Sequence, residues 1–245
     1  MLANIKLCQG HQAVQDTFLS IVRFLFSGIC HQLPERCLYY EGRALPLCAR
    51  CTGTFLGILS ALFTLWVTGQ GRRSLFPPMR LRVLFTLPVA LWGLDGINSL
   101  IQWAFGAPLL YEPHNSLRLV AGMGFGVVIG ITLYPIYHLA LWRKVTHKPV
   151  LEHERDVIAP FLAGAVWVIV LLVWKSAPFA LWLLVVGLAV FIVFAVTNGT
   201  LIALLWHKEG FADNWPAIIP YLLAGLLATL AEMSALGIWR RLVMG

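Results

Sequence analysis

The stretch "FALWLLVVGLAVFIVFAVTNGTLIALLW", residues 179–206, carries no charged side chain from end to end. A helix needs roughly 20 apolar residues to cross the hydrocarbon of a bilayer. A membrane-barrel strand would alternate polar and apolar with period two, and this run does not. It therefore reads as a transmembrane helix. Working outward, five more runs of the same kind lie at about 52–68, 82–105, 117–142, 158–174 and 216–239. The breaks between them carry proline, glycine or charge, as in "GQGRRSLFPPMR" and "RKVTHKPVLEHERD".

The composition agrees. The chain is 59% hydrophobic and 12% charged over 245 residues, whereas soluble domains carry about 25% charged residues. The fold class is all-α: a polytopic helical membrane protein with six spans and a cysteine-rich N-terminal segment. Its first partner is the lipid bilayer, and its place is a prokaryotic cell membrane.

A formal charge of +7 raises the question of a nucleic-acid partner. In a membrane chain, loop arginines and lysines set orientation instead, and no nucleic acid is expected. Arg72, Arg73, Arg80 and Arg82 crowd the first loop, and Arg143, Lys144, Lys148 and Arg155 the third. Those loops are expected in the cytoplasm, with both termini extracytoplasmic. The N-terminal segment opposes this with Lys6, Arg23, Arg36, Arg43 and Arg50, so the basic residues divide evenly between the two faces. "TFLSIVRFLFSGIC" is short and holds Arg23 in its middle, which suits an interfacial helix rather than a seventh span or a cleaved signal.

Three regions follow. Residues 1–51 form an interfacial segment with a Cys/His motif, 52–142 a three-helix core carrying the polar residues, and 143–245 a three-helix extension. Gly53 and Gly57, and likewise Gly122, Gly126 and Gly130, recur at the four-residue spacing that lets membrane helices approach closely.

"CHQLPERC…LPLCARCTG", Cys30 to Gly53, gathers four of the five cysteines beside the first span. Cys48 and Cys51 form a C-x-x-C that can reach one tetrahedral ion, and Cys30, His31 and Cys37 offer further ligands. Zinc is the expected metal. The same pair at a helix start can instead cycle as a dithiol, since a helix N-terminus and Arg50 favour thiolate. Disulfides or simple packing complete the alternatives, and Cys8 is incidental.

Asp95 lies inside the second span, where a charge costs about 2.5–3.5 kcal/mol on insertion scales and so needs a partner. Arg118, at the start of the third span, is the expected one. Sidedness brings Asp95, Asn98, His114, Asn115, Arg118 and Glu232 toward the cysteine face. There they form a polar intramembrane site for a lipid headgroup or small anionic ligand. A thiol oxidoreductase using Cys48 and Cys51 and a small transporter with structural cysteines are the competing readings. Nothing in the sequence fixes an oligomeric state.

"CHQLPERC", "LPLCARCTGTFLG", "GLDGINSL" and "HNSLRLVAGMGFG" together resemble the membrane family called domain of unknown function 2085, over about residues 29–135. The resemblance implies a small polytopic protein with a metal-binding cysteine motif and no established activity. Cys37 stands where that family usually has serine. The resemblance therefore favours Cys30, His31, Cys48 and Cys51 and leaves Cys37 the doubtful ligand.

Overall fold

A computed structural model of the chain describes residues 17–244; Lys6 and Cys8 lie outside them. A short apolar helix, α1 (Thr17–Phe26), leads through a 3-10 turn to a hairpin, β1 (Cys37–Tyr40) and β2 (Arg43–Cys48). Then come α2 (Ala49–Val67), β3 (Arg73–Leu75), α3 (Met79–Leu84), α4 (Thr86–Phe105) and α5 (Asn115–Leu141). The chain closes with β4 (Thr146–Pro149), α6 (Glu154–Val173), α7 (Phe179–Leu205) and α8 (Trp215–Met244). Six helical stretches are long and apolar enough to cross a membrane, with α3 and α4 together forming the second.

That second span is interrupted at Phe85 for a local reason. Pro88 has no N–H to offer the carbonyl of Leu84, and its ring crowds that carbonyl, so the helix restarts at Thr86.

The glycine spacing finds its use between α2 and α5, the most extensively packed pair of helices. A Cβ on Gly122 would stand 2.1 Å from the carbonyl oxygen of Arg50, and one on Gly126 2.1 Å from that of Thr54. Gly53 and Gly57 meet the Leu119 and Met123 carbonyls from the other side. The two backbones touch along this seam, which is what small residues permit in lipid.

α4 is built inside out. Its buried residues are Asp95, Asn98 and Ser99, which share one helical face at i, i+3 and i+4. Leu91, Leu94, Ile97, Leu100 and Trp103 are exposed on its other sides. The hydrocarbon supplies the apolar environment, and the protein interior supplies the polar one.

On one face of the bundle, loops one and three join as a parallel pair of short strands, β3 with β4. Arg72 stacks 3.6 Å over the Trp142 ring, and Arg73 bonds Glu152 at 2.9 Å. The fifth loop reaches the same platform through Arg143 and Asp213, 2.7 Å apart. On the opposite face the hairpin caps the bundle. Tyr40 donates to the Leu171 carbonyl at 2.6 Å, and its ring lies 5.4 Å from that of Trp182. Two of the C-terminal spans, α6 and α7, are thus packed beneath the hairpin and against α2, and α8 packs on α7.

A candidate metal centre and its polar brace

The hairpin turn is two residues, Glu41 and Gly42, both at positive φ (50° and 73°). That geometry matches the twist of the flanking strands. It places Cys37 opposite Cys48 in the ladder. β2 then runs without a loop into α2. Cys48 is the helix N-cap, and its sulfur accepts the Cys51 N–H at 3.5 Å. One helical turn brings the Cys51 thiol back beside it.

Cys30 comes from the loop after α1. It is 5% exposed, and its sulfur accepts the Cys48 N–H at 3.2 Å. The sulfurs of Cys30, Cys48 and Cys51 all lie within 4.8 Å of one another. All are free thiols. The Cys48 thiol is held below its ordinary range by hydrogen bonds from the Cys30 and Cys51 thiols, then by the Cys51 N–H and the charge of Arg50. Cys30 is correspondingly raised, first through its hydrogen bond to Cys48.

Cys37 and His31 stand apart from this group. Cys37 donates to the Leu33 carbonyl at 3.2 Å, and burial, reinforced by the Cys30 and Cys48 sulfurs, pushes its thiol up to about 12. His31 is exposed, and among the described residues only its backbone is held, by Arg240 at 2.8 Å. Adjacent Cys30 and His31 point their side chains into different environments, one interior and one solvent. Of the four ligands expected from sequence, three converge.

Beside the thiols lies a second polar group, and its pairing differs from expectation. Asp95, 1% exposed, is bound not by Arg118 but by Arg50, through Nε at 2.8 Å and through Nη2. Arg50 Nη2 also donates to the Asp95 carbonyl at 3.0 Å and to Ser99 Oγ at 3.1 Å. The Tyr111 hydroxyl donates to the other carboxylate oxygen at 2.8 Å. The physical reason is the fold of the second loop. Asn98 accepts from the Leu109 and Leu110 N–H groups, both at 2.9 Å, and donates to the Tyr111 carbonyl at 2.7 Å. The loop is thereby pinned back along α4, and Asp95 comes level with the first turn of α2.

Arg118 is 5% exposed and donates through Nη1 to Asn115 at 3.0 Å, while its Nε has no hydrogen-bond partner among the described residues. Asn115 in turn donates to the Glu35 and Cys37 carbonyls, each at 3.0 Å, tying α5 to the hairpin. His114 is exposed at the N-cap of α5 and makes no side-chain cap bond.

Glu232 belongs elsewhere. It accepts from Asn198 at 3.2 Å between α7 and α8. Sidedness fixed its depth, but α8 packs on α7, away from α4. Arg50, Ser99 and Tyr111 are the members that sequence reasoning missed. The signal for Arg50 was its position: a charge in the first turn of a span, on the face where the second span ends.

Residues 30–132 match the family described as "Predicted membrane protein (DUF2085)". The matched segment holds the three converging cysteines together with Arg50, Asp95, Tyr111 and Arg118. The chain is also similar to an uncharacterised protein of Methanocaldococcus jannaschii, 27% identical over 128 residues, which is 52% of this chain and 76% of that protein. An uncharacterised protein of Methanothermobacter thermautotrophicus is 28% identical over 116 residues, 47% of this chain and 94% of its own. No solved structure matches the chain.

Proposed function

We propose that the protein is a membrane metalloprotein in which Cys30, Cys48 and Cys51 hold one zinc ion at the membrane face. The observation that carries this reading is the convergence of three reduced sulfurs within 4.8 Å, drawn from a loop and a helix N-terminus. Zinc–sulfur bonds of about 2.3 Å set sulfur–sulfur separations near 3.8 Å in a tetrahedral site, which these thiols reach by a small contraction. The donor set also fits in its surroundings. Two of the sulfurs already accept backbone N–H bonds, the outer-shell support that orients metal ligands.

Three thiolates and a divalent ion sum to one negative charge, and Arg50 lies close enough to Cys48 to offset it. Asp95 keeps Arg50 in place and is itself fully engaged. Its role in this reading is that of a brace. Three protein ligands leave a fourth position, the arrangement of sites that bind an external group. Arg118, buried with its Nε–H unpartnered among the described residues and within electrostatic reach of Cys48 and Asp95, is the residue to receive an anionic one.

Metal analysis with thiol counting on protein purified without chelator tests the reading. About one zinc per chain is expected, and Cys48→Ser should abolish it. A metal-free chain with a reversible Cys48–Cys51 disulfide would overturn it.

A further inference from the structure

A second group of charged side chains lies on the same membrane face, on the other side of the loop that carries Cys30. The last turn of α8 brings Arg240 and Arg241 beside Arg23 of α1, and the three line a cavity of about 500 Å³ with Phe24, Ser27 and Gln32. No carboxylate among the described residues lines this cavity. Among the described residues none of the three arginines forms an ion pair, although the chain pairs Arg50, Arg73 and Arg143 with acids elsewhere.

The arginines are positioned rather than loose. Arg240 donates to the carbonyls of Ser27, Cys30 and His31 at 2.8, 2.7 and 2.8 Å. Arg23 donates to the Ala44 carbonyl at 3.1 Å, and Arg241 lies 4.5 Å over the Phe24 ring. Gln32 adopts a positive φ of 56°, costly for a residue with a side chain. Its amide is fixed there by bonds to the Arg23 and Pro46 carbonyls at 2.8 and 3.0 Å. Carbonyl bonds orient a guanidinium but leave its charge uncompensated. Three such charges around one cavity repel each other unless an anion enters.

The surroundings indicate the kind of anion. Ile21 of α1 and Trp239 and Leu242 of α8, each next in the chain to a residue lining the cavity, are all more than half exposed. Aromatic and aliphatic residues flanking arginines at the end of a span mark the headgroup level of a bilayer. Guanidinium forks suit phosphate oxygens, which they meet with charge-assisted, bidentate bonds.

We infer that Arg23, Arg240 and Arg241 form a phosphate-binding site, filled by the phosphodiester of an acidic phospholipid or by a free phosphate. Its test uses the full chain in nanodiscs and in detergent. Thermal stability is measured in phosphatidylcholine nanodiscs with and without phosphatidylglycerol, and separately in detergent with inorganic phosphate. Arg240 supports the Cys30 loop, so the variant is Arg23→Gln/Arg241→Gln, with Arg36→Gln/Arg80→Gln as a charge-matched control.

Stabilisation by phosphatidylglycerol alone identifies the lipid source, and stabilisation by phosphate alone the soluble one. In either case the site variant should bind at least about tenfold more weakly, while the control responds like the parent. A parent chain indifferent to both probes overturns the proposal. So does a folded site variant that responds as the parent does.

Discussion

Arg50 and Asp95 meet across the α2–α4 boundary as a buried pair, with the carboxylate side chain 2% and the guanidinium side chain 21% exposed. The arginine sits between the two cysteines of the C-x-x-C, so one residue belongs to both polar groups. Its backbone carbonyl lies on the α2–α5 seam, where it accepts from Thr54 Oγ1 at 3.0 Å. The turn that carries Cys48 and Cys51, the helix seam and the intramembrane charge are therefore mechanically continuous.

Breaking that pair from one side leaves a charge buried and uncompensated. Asp95→Asn or Arg50→Leu alone should cost about 3–5 kcal/mol, and the double variant clearly less than the sum. Arg118→Leu combined with Asp95→Asn should be closer to additive. Thermal melts of the five variants and the parent in one detergent measure both cycles, and strong coupling only to Arg118 would reverse the assignment.

The ligand set makes its own forecast. Cys30→Ser and Cys51→Ser should each lose bound zinc, whereas His31→Ala and Cys37→Ser should keep it, because their side chains lie outside the cluster. Metal content per chain is the readout. Loss of zinc in His31→Ala would show that the histidine swings in to coordinate.

Helix contact is the subject of a third comparison. Gly126→Ala forces a methyl group against the Thr54 carbonyl and should destabilise by roughly 1–3 kcal/mol, as overpacking does. Gly187→Ala meets nothing within 4 Å and should be neutral. Equal melting temperatures for the two would mean that the α2–α5 seam is looser than described.

Tyr111 gives an alkaline signature. Burial first, and then its hydrogen bond to Asp95, pushes its phenol from 10.0 up to about 12. The folded state thus favours the neutral phenol. The stability this contributes is full below the ordinary value and is lost as pH rises toward 12. Between those limits the parent should lose thermal stability more steeply than Tyr111→Phe. Parallel curves would place the hydroxyl away from the carboxylate.

Topology is tested by accessibility. Cysteines introduced at Gly71 and Gly210 should be labelled from one side and one at Pro113 from the other, since loops one, three and five share a platform. The basic loops predict that the shared side is cytoplasmic. Labelling of all three from one side would contradict the six-span arrangement.

Six spans were legible because a hydrocarbon solvent imposes length and apolarity on each helix separately. Gly122 and Gly126 were legible for a similar reason, their spacing being a property of one helix. Cys48 and Cys51 needed only a single helical turn. The partner of Asp95 depended on how the loop carrying Tyr111 folds back, which Asn98 decides through three hydrogen bonds. Glu232 depended on which neighbour α8 chooses, and sequence order gives the depth of a residue without its direction around the helix axis. His31 was lost to a side-chain orientation that its neighbour Cys30 does not share.

The bonds from Arg240 to the Ser27 and Cys30 carbonyls carry a consequence for biosynthesis. The loop that presents the first cysteine is made before any of the six spans, while the arginine that steadies it follows 210 residues later, near the end of the sixth. The three-thiol cluster can take its final shape only once the sixth helix has inserted. Until then the loop that carries Cys30 stands at the membrane face without the bonds that hold it.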